Sequence, residues 1–200
     1  MRSRKETEDK LLNAAGRVLA RDGFLKLGVN AVAREAGVDK VLIYRYFDGL
    51  DGLIKAYARQ GDFWPSLDEL IGEPIELFRN RQLADQMKTI MTNLAEGIRK
   101  RPLTLEILAW EMVERNELTA HLEEIRERKG LELTEAFSDN ADPNEATVDV
   151  AALIAITVAS INYLAARSRK IKIFNGIDIR EDEGWGRLTG TMATIFNKCL

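Results

Sequence analysis

Between Val29 and Phe47 the chain reads VNAVAREAGVDKVLIYRYF, and its residue types and spacing suit one kind of chemistry. Two short stretches with helical apolar spacing flank Ala36-Gly37-Val38, and glycine permits the sharp turn that joins two helices at an angle. Such a corner presents the first residues of the second helix outward, in the geometry that enters the major groove of DNA. Lys40 and Arg45 add positive charge there, and Arg2 and Arg4 could form an arm on the phosphate backbone or in the minor groove. Spacing alone is a weak signal, since most such spacings are ordinary helical corners.

The remaining reactive residue types point away from catalysis. His121 is the only histidine, and Leu118 stands where a helix-bundle metal site would place the glutamate of a Glu-x-x-His pair. Cys199 is the only cysteine, so an internal disulfide and a cysteine-built metal site are excluded. No glycine-rich phosphate loop or nucleophile elbow occurs. The expectation is a protein that is not an enzyme and carries no metal or cofactor. Met87, Met91, Trp110, Met112, Asn162 and Tyr163 are candidates to line a pocket for a small, mostly apolar effector, with adaptable walls and a few polar tips. The same residues would serve equally as core.

These groups need a scaffold, and composition bounds it. Two hundred residues, 46% of them hydrophobic and only 4 of them proline, suit a helical protein with a sizeable core. Charge is uneven: residues 1–60 hold 12 Lys and Arg against 8 Asp and Glu, whereas the other 140 hold 17 against 24. A basic head on an acidic body suits a chain that meets phosphates at one end. The charged N-terminus has no signal-peptide character, so a cytoplasmic setting is expected. Val150 to Ala166 carries no formal charge, yet Thr157, Ser160, Asn162 and Tyr163 argue for a helix buried on nearly all sides of a core rather than a membrane span.

The periodicity predicts a first helix opening on Ser3 and Glu6 at capping-box spacing and ending at Asp22-Gly23. Helices follow at Val29–Ala36, after Asp39, and from Leu50 to Gly61. Residues 65–81 read as a connection with at most a short helical turn, because Pro65, Gly72 and Pro74 interrupt them. Longer helices then contain Leu83 to Ile98, Leu105 to Met112, and Leu118, Leu122 and Ile125. Ser138 to Pro143 reads as a loop, and Asp142-Pro143-Asn144-Glu145 as the start of a helix to about residue 169. A final helix from about Glu181 carries Trp185, Leu188, Met192, Ile195 and Cys199 three and four apart. The fold class is all-α.

Gly23-Phe24, then Val32-Ala33-x-x-Ala36-Gly37-Val38, then Ile43-Tyr44-Arg45-Tyr46-Phe47 closely resembles the tetracycline-repressor (TetR) family, over roughly residues 7 to 57. The C-terminal part is similar only in style, including Phe174-Asn175-Gly176-Ile177-Asp178 and Glu183-Gly184-Trp185 on the approach to the last helix. The resemblance implies a helix-turn-helix domain at 1–50 (the motif at about 29–47) and a larger helical effector-binding and dimerisation domain at 51–200. It implies a DNA-binding transcriptional regulator, a repressor acting as a homodimer on operator DNA and answering to a small-molecule effector. Lys40, Val41, Leu42, Tyr44 and Tyr46 fall where the family reaches bases or phosphates, and Ile43 and Phe47 where it builds core. A tyrosine can donate to phosphate while its ring packs on sugar.

Three departures stand out. Gly28 replaces the family's usual threonine cap. Val41 and Leu42 replace small or hydroxylated residues and could meet only thymine methyls. Leu50 replaces a phosphate-anchoring lysine. A second reading therefore stays open, a helical interaction protein in which Val41, Leu42 and Leu50 form an apolar patch and DNA is ignored.

Overall fold

The first four helices form because their apolar residues recur at helical spacing and find one another. The computed structural model of the chain describes residues 4–59, 64–113, 115, 117–136 and 148–200. Helix α1 (Arg4–Asp22) buries Leu11, Leu12, Ala14, Ala15, Val18 and Leu19. Helix α2 (Val29–Ala36) buries Val32 and Ala33, and α3 (Val41–Phe47) buries Ile43 completely. Helix α4 (Leu50–Arg59) adds Leu53 and Ile54.

Two glycines make this arrangement possible. Gly37 ends α2 in the left-handed region, at φ 65°, and the Val38 N–H then donates back to the Ala33 carbonyl at 3.1 Å. Gly52 lets the first turn of α4 lie against the end of α3, where any Cβ would collide with the Phe47 carbonyl. The expected cap at Asp39 is present, its carboxylate accepting from the Val41 N–H at 2.9 Å.

The chain divides into two compact units, Met1–Phe63 with Arg101–Ile125, and Trp64–Lys100 with Arg126–Leu200. In the first, α8 (Pro102–Glu111) packs on α1, and Phe24 stacks on Trp110 with ring centroids 4.1 Å apart. The head expected at 1–50 lies within the first unit. Helix α9 (Glu117–Ala136) contributes to both units.

The second unit is organised by α7 (Leu83–Arg99), which buries Met87, Ile90, Met91, Leu94 and Ile98 and touches α5, α10 and α11. Residues 65–81 correct the sequence reading, for they hold two short helices, α5 (Leu67–Ile71) and α6 (Ile75–Arg79). Ser66 and Glu69 form a reciprocal capping box on α5, and Gly72 closes it. Glycine and Pro74 here punctuate helices rather than prevent them, since the helix ends are where both residues fit.

Helix α10 (Val150–Ser168) is capped by Asp149, and α11 (Asp182–Cys199) follows a two-stranded hairpin, β1 (Ile173–Phe174) and β2 (Ile177–Asp178). Asn175 and Gly176 both have positive φ, the conformation a two-residue hairpin turn requires. With eleven α-helices and this one hairpin among the described residues, the fold is all-α. A second correction concerns α10, which is not buried on nearly all sides. Thr157, Ile161, Leu164, Ala165 and Ala166 are buried, but Ile156 is 66% exposed and Tyr163 42% exposed. By length and composition α10 remains the one helix among the described residues that could cross a membrane. Arg2, Ser3, the Leu118 side chain and the expected loop and helix start at 138–145 lie outside the described residues.

Candidate nucleic-acid interface

The turn at Gly37 and the seating of Ile43 decide which side of α3 faces outward. Lys40, Val41, Tyr44 and Arg45 share that side, with Val41 59% and Tyr44 58% exposed. No ion pair among the described residues engages Lys40 or Arg45, so both cations are available to phosphate. Leu42 and Tyr46 do not join them. Both are half-buried against the core formed by α1, α2 and α4, as are Phe47 and Leu50. At 100° per residue, positions 42 and 46 rotate towards the side that Ile43 buries.

Leu42 and Tyr46, both expected among the residues that meet bases or phosphates, thus stand half-buried beside the exposed side, and most of the apolar patch on which the interaction-protein reading rested is covered. Of Val41, Leu42 and Leu50, only Val41 is exposed. Arg4 is held over Tyr46, its guanidinium 5.2 Å from the ring centroid and its Nε 2.7 Å from Glu8. Gly28 is extended, at φ −157°, and offers α2 no side-chain cap.

Charge pairs hold α2 against α1 behind this surface. Arg17 and Arg21 donate to the two oxygens of Glu35 at 2.8 and 2.9 Å, and Arg21 also reaches Asp22 at 2.9 Å. Hydrogen bonds from Arg17 and Arg21 hold the Glu35 carboxyl below the usual carboxylate range, and Arg21 does the same for Asp22. Exposed pairs of this kind add little stability, but they fix orientation.

The six expected effector residues fall in different places. Met87 and Met91 are buried in the α7 core, and Tyr163 stands exposed, its ring T-shaped to Phe174 with centroids 6.0 Å apart. Trp110 and Met112 belong to the other unit, Met112 being 50% exposed. Only Asn162 lines a cavity of about 350 Å³ in the second unit, together with Trp64, Leu70, Leu94, Arg126, Lys129, Leu133, Ile154 and Val158. Sequence reasoning missed these walls. They come from segments far apart in the chain, and no periodicity links them. His121 lies 3.6 Å from Glu124, and among the described residues no group of three or more His, Cys, Asp or Glu could hold a metal ion.

A three-helix head that turns at a left-handed glycine and leaves a basic helix face open defines a helix-turn-helix protein. The family of bacterial regulatory proteins, tetR family, matches residues 11–57. Similar over 52 residues, at 35% identity, is an uncharacterized HTH-type transcriptional regulator of Mycobacterium tuberculosis, the match covering 26% of each chain. The chain thus spans about a quarter of the length of that curated relative.

Whole-chain likeness comes from solved structures. A TetR-like transcriptional regulator from Rhodococcus sp. RHA1 superimposes with a TM-score of 0.64 at 15% identity, covering 97% of both chains. The fatty acid degradation regulator FadR from Bacillus halodurans gives 0.67 at 15% identity, covering 95% of this chain and 94% of that one. Residues 11–57 are similar to the tetR family of bacterial regulatory proteins, and the chain as a whole shares the fold of TetR-like regulators. That family and these neighbours are transcriptional regulators, which are generally not enzymes.

Proposed function

We propose that the protein is a cytoplasmic homodimeric repressor that binds operator DNA through α3, with that binding modulated by a small, mostly apolar molecule in the second unit. The observation that carries the DNA-binding part is the open face of α3, where two unpaired cations flank an exposed valine and tyrosine. Lys40 and Arg45 would neutralise phosphates, Tyr44 would donate to a phosphate oxygen, and Val41 would meet a thymine methyl, the only base feature an alkyl side chain reads favourably.

The dimer reading rests on α10 and α11. Helix α10 leaves Ala151, Ala152, Ala155, Ile156 and Ala159 exposed, and α11 leaves Gly186, Gly190 and Ile195. Small residues allow close helix approach, and a second copy bringing the same pair of helices would form an isologous four-helix contact.

The test is selection of bound fragments from the genomic DNA of the source organism, followed by binding measurements on the selected site. Affinity should fall steeply as salt rises. Lys40→Ala with Tyr44→Ala should abolish site preference while the helical circular dichroism is retained. A double variant that selects the same site removes α3 as the reading element.

A further inference from the structure

The cavity of the second unit lies among α5, α7, α9 and α10, with Trp64, Leu70, Leu94, Leu133, Ile154 and Val158 as apolar walls. Its volume of about 350 Å³ is at the lower end of the range for small-molecule sites. Of its polar lining, Glu127 is exposed at the margin, and the rest is already engaged with one exception. Thr134 donates to the Gly130 carbonyl at 3.0 Å, Lys129 pairs with Glu132 at 2.9 Å, and the Arg126 guanidinium lies 5.9 Å from the Trp64 ring centroid. Asn162 is the exception. Its amide oxygen is buried, and no described group of the protein donates to it.

A buried amide oxygen without a donor in an apolar wall is unfavourable for stability alone, because it forfeits the hydrogen bonds it had in water. Leucine has nearly the same shape and would fill the position without that cost. We propose that this cavity binds a neutral, mostly apolar molecule carrying one hydroxyl or N–H group, which donates to Asn162 Oδ1. A hydroxyl both donates and accepts, so it satisfies either end of the amide. A carboxylate cannot donate to the oxygen, and the two cations at the margin already have partners. The role of this ligand as the effector, though not its binding, rests on the regulator reading above.

The experiment uses 2-naphthol, naphthalene and 2-naphthoate as probes of one shape, titrated calorimetrically into the full-length protein. The expected result is 2-naphthol binding about tenfold more tightly than either analogue, the worth of one buried hydrogen bond. In Asn162→Leu that preference over naphthalene should vanish while the melting temperature rises. Asn162→Ala, which cannot overfill the site, should lose the same preference. Val158→Trp, which fills the cavity, should bind none of the three.

No uptake of 2-naphthol, tighter binding of 2-naphthoate, or an unchanged preference in both Asn162 variants overturns the proposal. Failure of the regulator reading would look different. Wild-type protein would take up 2-naphthol and yet retain no fragment in the DNA selection.

Discussion

Helices α3 and α10 both carry apolar residues at helical spacing, and the chain treats them in opposite ways. Around α3 the head closes on itself. Ile43 is fully buried, Leu42, Tyr46, Phe47 and Leu50 lean on the same core, and Val41 is the one aliphatic side chain of α3 left fully open. Helix α10 seats Ile161, Leu164 and Ala165 inward and leaves Ile156, Tyr163 and a row of alanines outside. The contrast teaches that helical periodicity identifies a helix and its apolar face, whereas what covers that face depends on which other surfaces come within reach. A face with partners nearby becomes core, and one without them stays exposed in the single chain.

The largest effect should come from charging the open face. Ile156→Glu with Ile195→Glu would place four carboxylates in the proposed two-fold interface, which should raise the dimer dissociation constant by at least about a hundredfold. Both positions are exposed in the single chain, so helix content should be retained. Sedimentation reads the outcome, and an unchanged dimer mass would break the contrast, because α10 and α11 would then need no partner.

The complementary variant opens the closed face. Ile43→Ala removes a fully buried side chain from the head and should cost about 2–5 kcal/mol. Hydrogen exchange should accelerate in α2, α3 and α4 while α7 and α11 keep their protection. Uniform acceleration through both units would mean that the head core is not separately closed.

The smallest effect belongs to Gly28, where a substituent meets nothing within 4 Å and φ is extended. Gly28→Ser adds a capping oxygen for α2 and restricts the unfolded chain, worth about 0.5 kcal/mol in favour of the folded state. Denaturant titration measures that gain. A destabilised variant would show that this edge of the head is more tightly packed than its open surroundings imply.

Much of the head was legible before any tertiary contact was known. Val32, Ala33 and Ile43 stand at helical spacing, Gly37 is the residue that can take φ 65°, and Asp39 is placed to cap α3. Each of these depends on backbone sterics or on hydrogen bonds within a few residues, which a linear pattern records directly. The short helices α5 and α6 were missed for a related reason. Proline and glycine mark helix ends as readily as they mark loops, and two ends five residues apart look like an unbroken connection.

By itself, then, the sequence determined the helical class, the turn at Gly37, the capping at Asp39 and the outward place of Lys40, Tyr44 and Arg45. Tertiary structure alone decided that Leu42 and Tyr46 turn inward, that Trp110 stacks on Phe24 in the same unit as the head, and that α10 leaves Ile156 uncovered. It also decided that Asn162 shares a cavity with Trp64 and Leu133 rather than with Met87 or Met91. The division follows range. Dihedral preference and i to i+4 spacing act within one turn of chain, but a wall or an interface is assembled from segments tens of residues apart, whose proximity is set by packing of the whole.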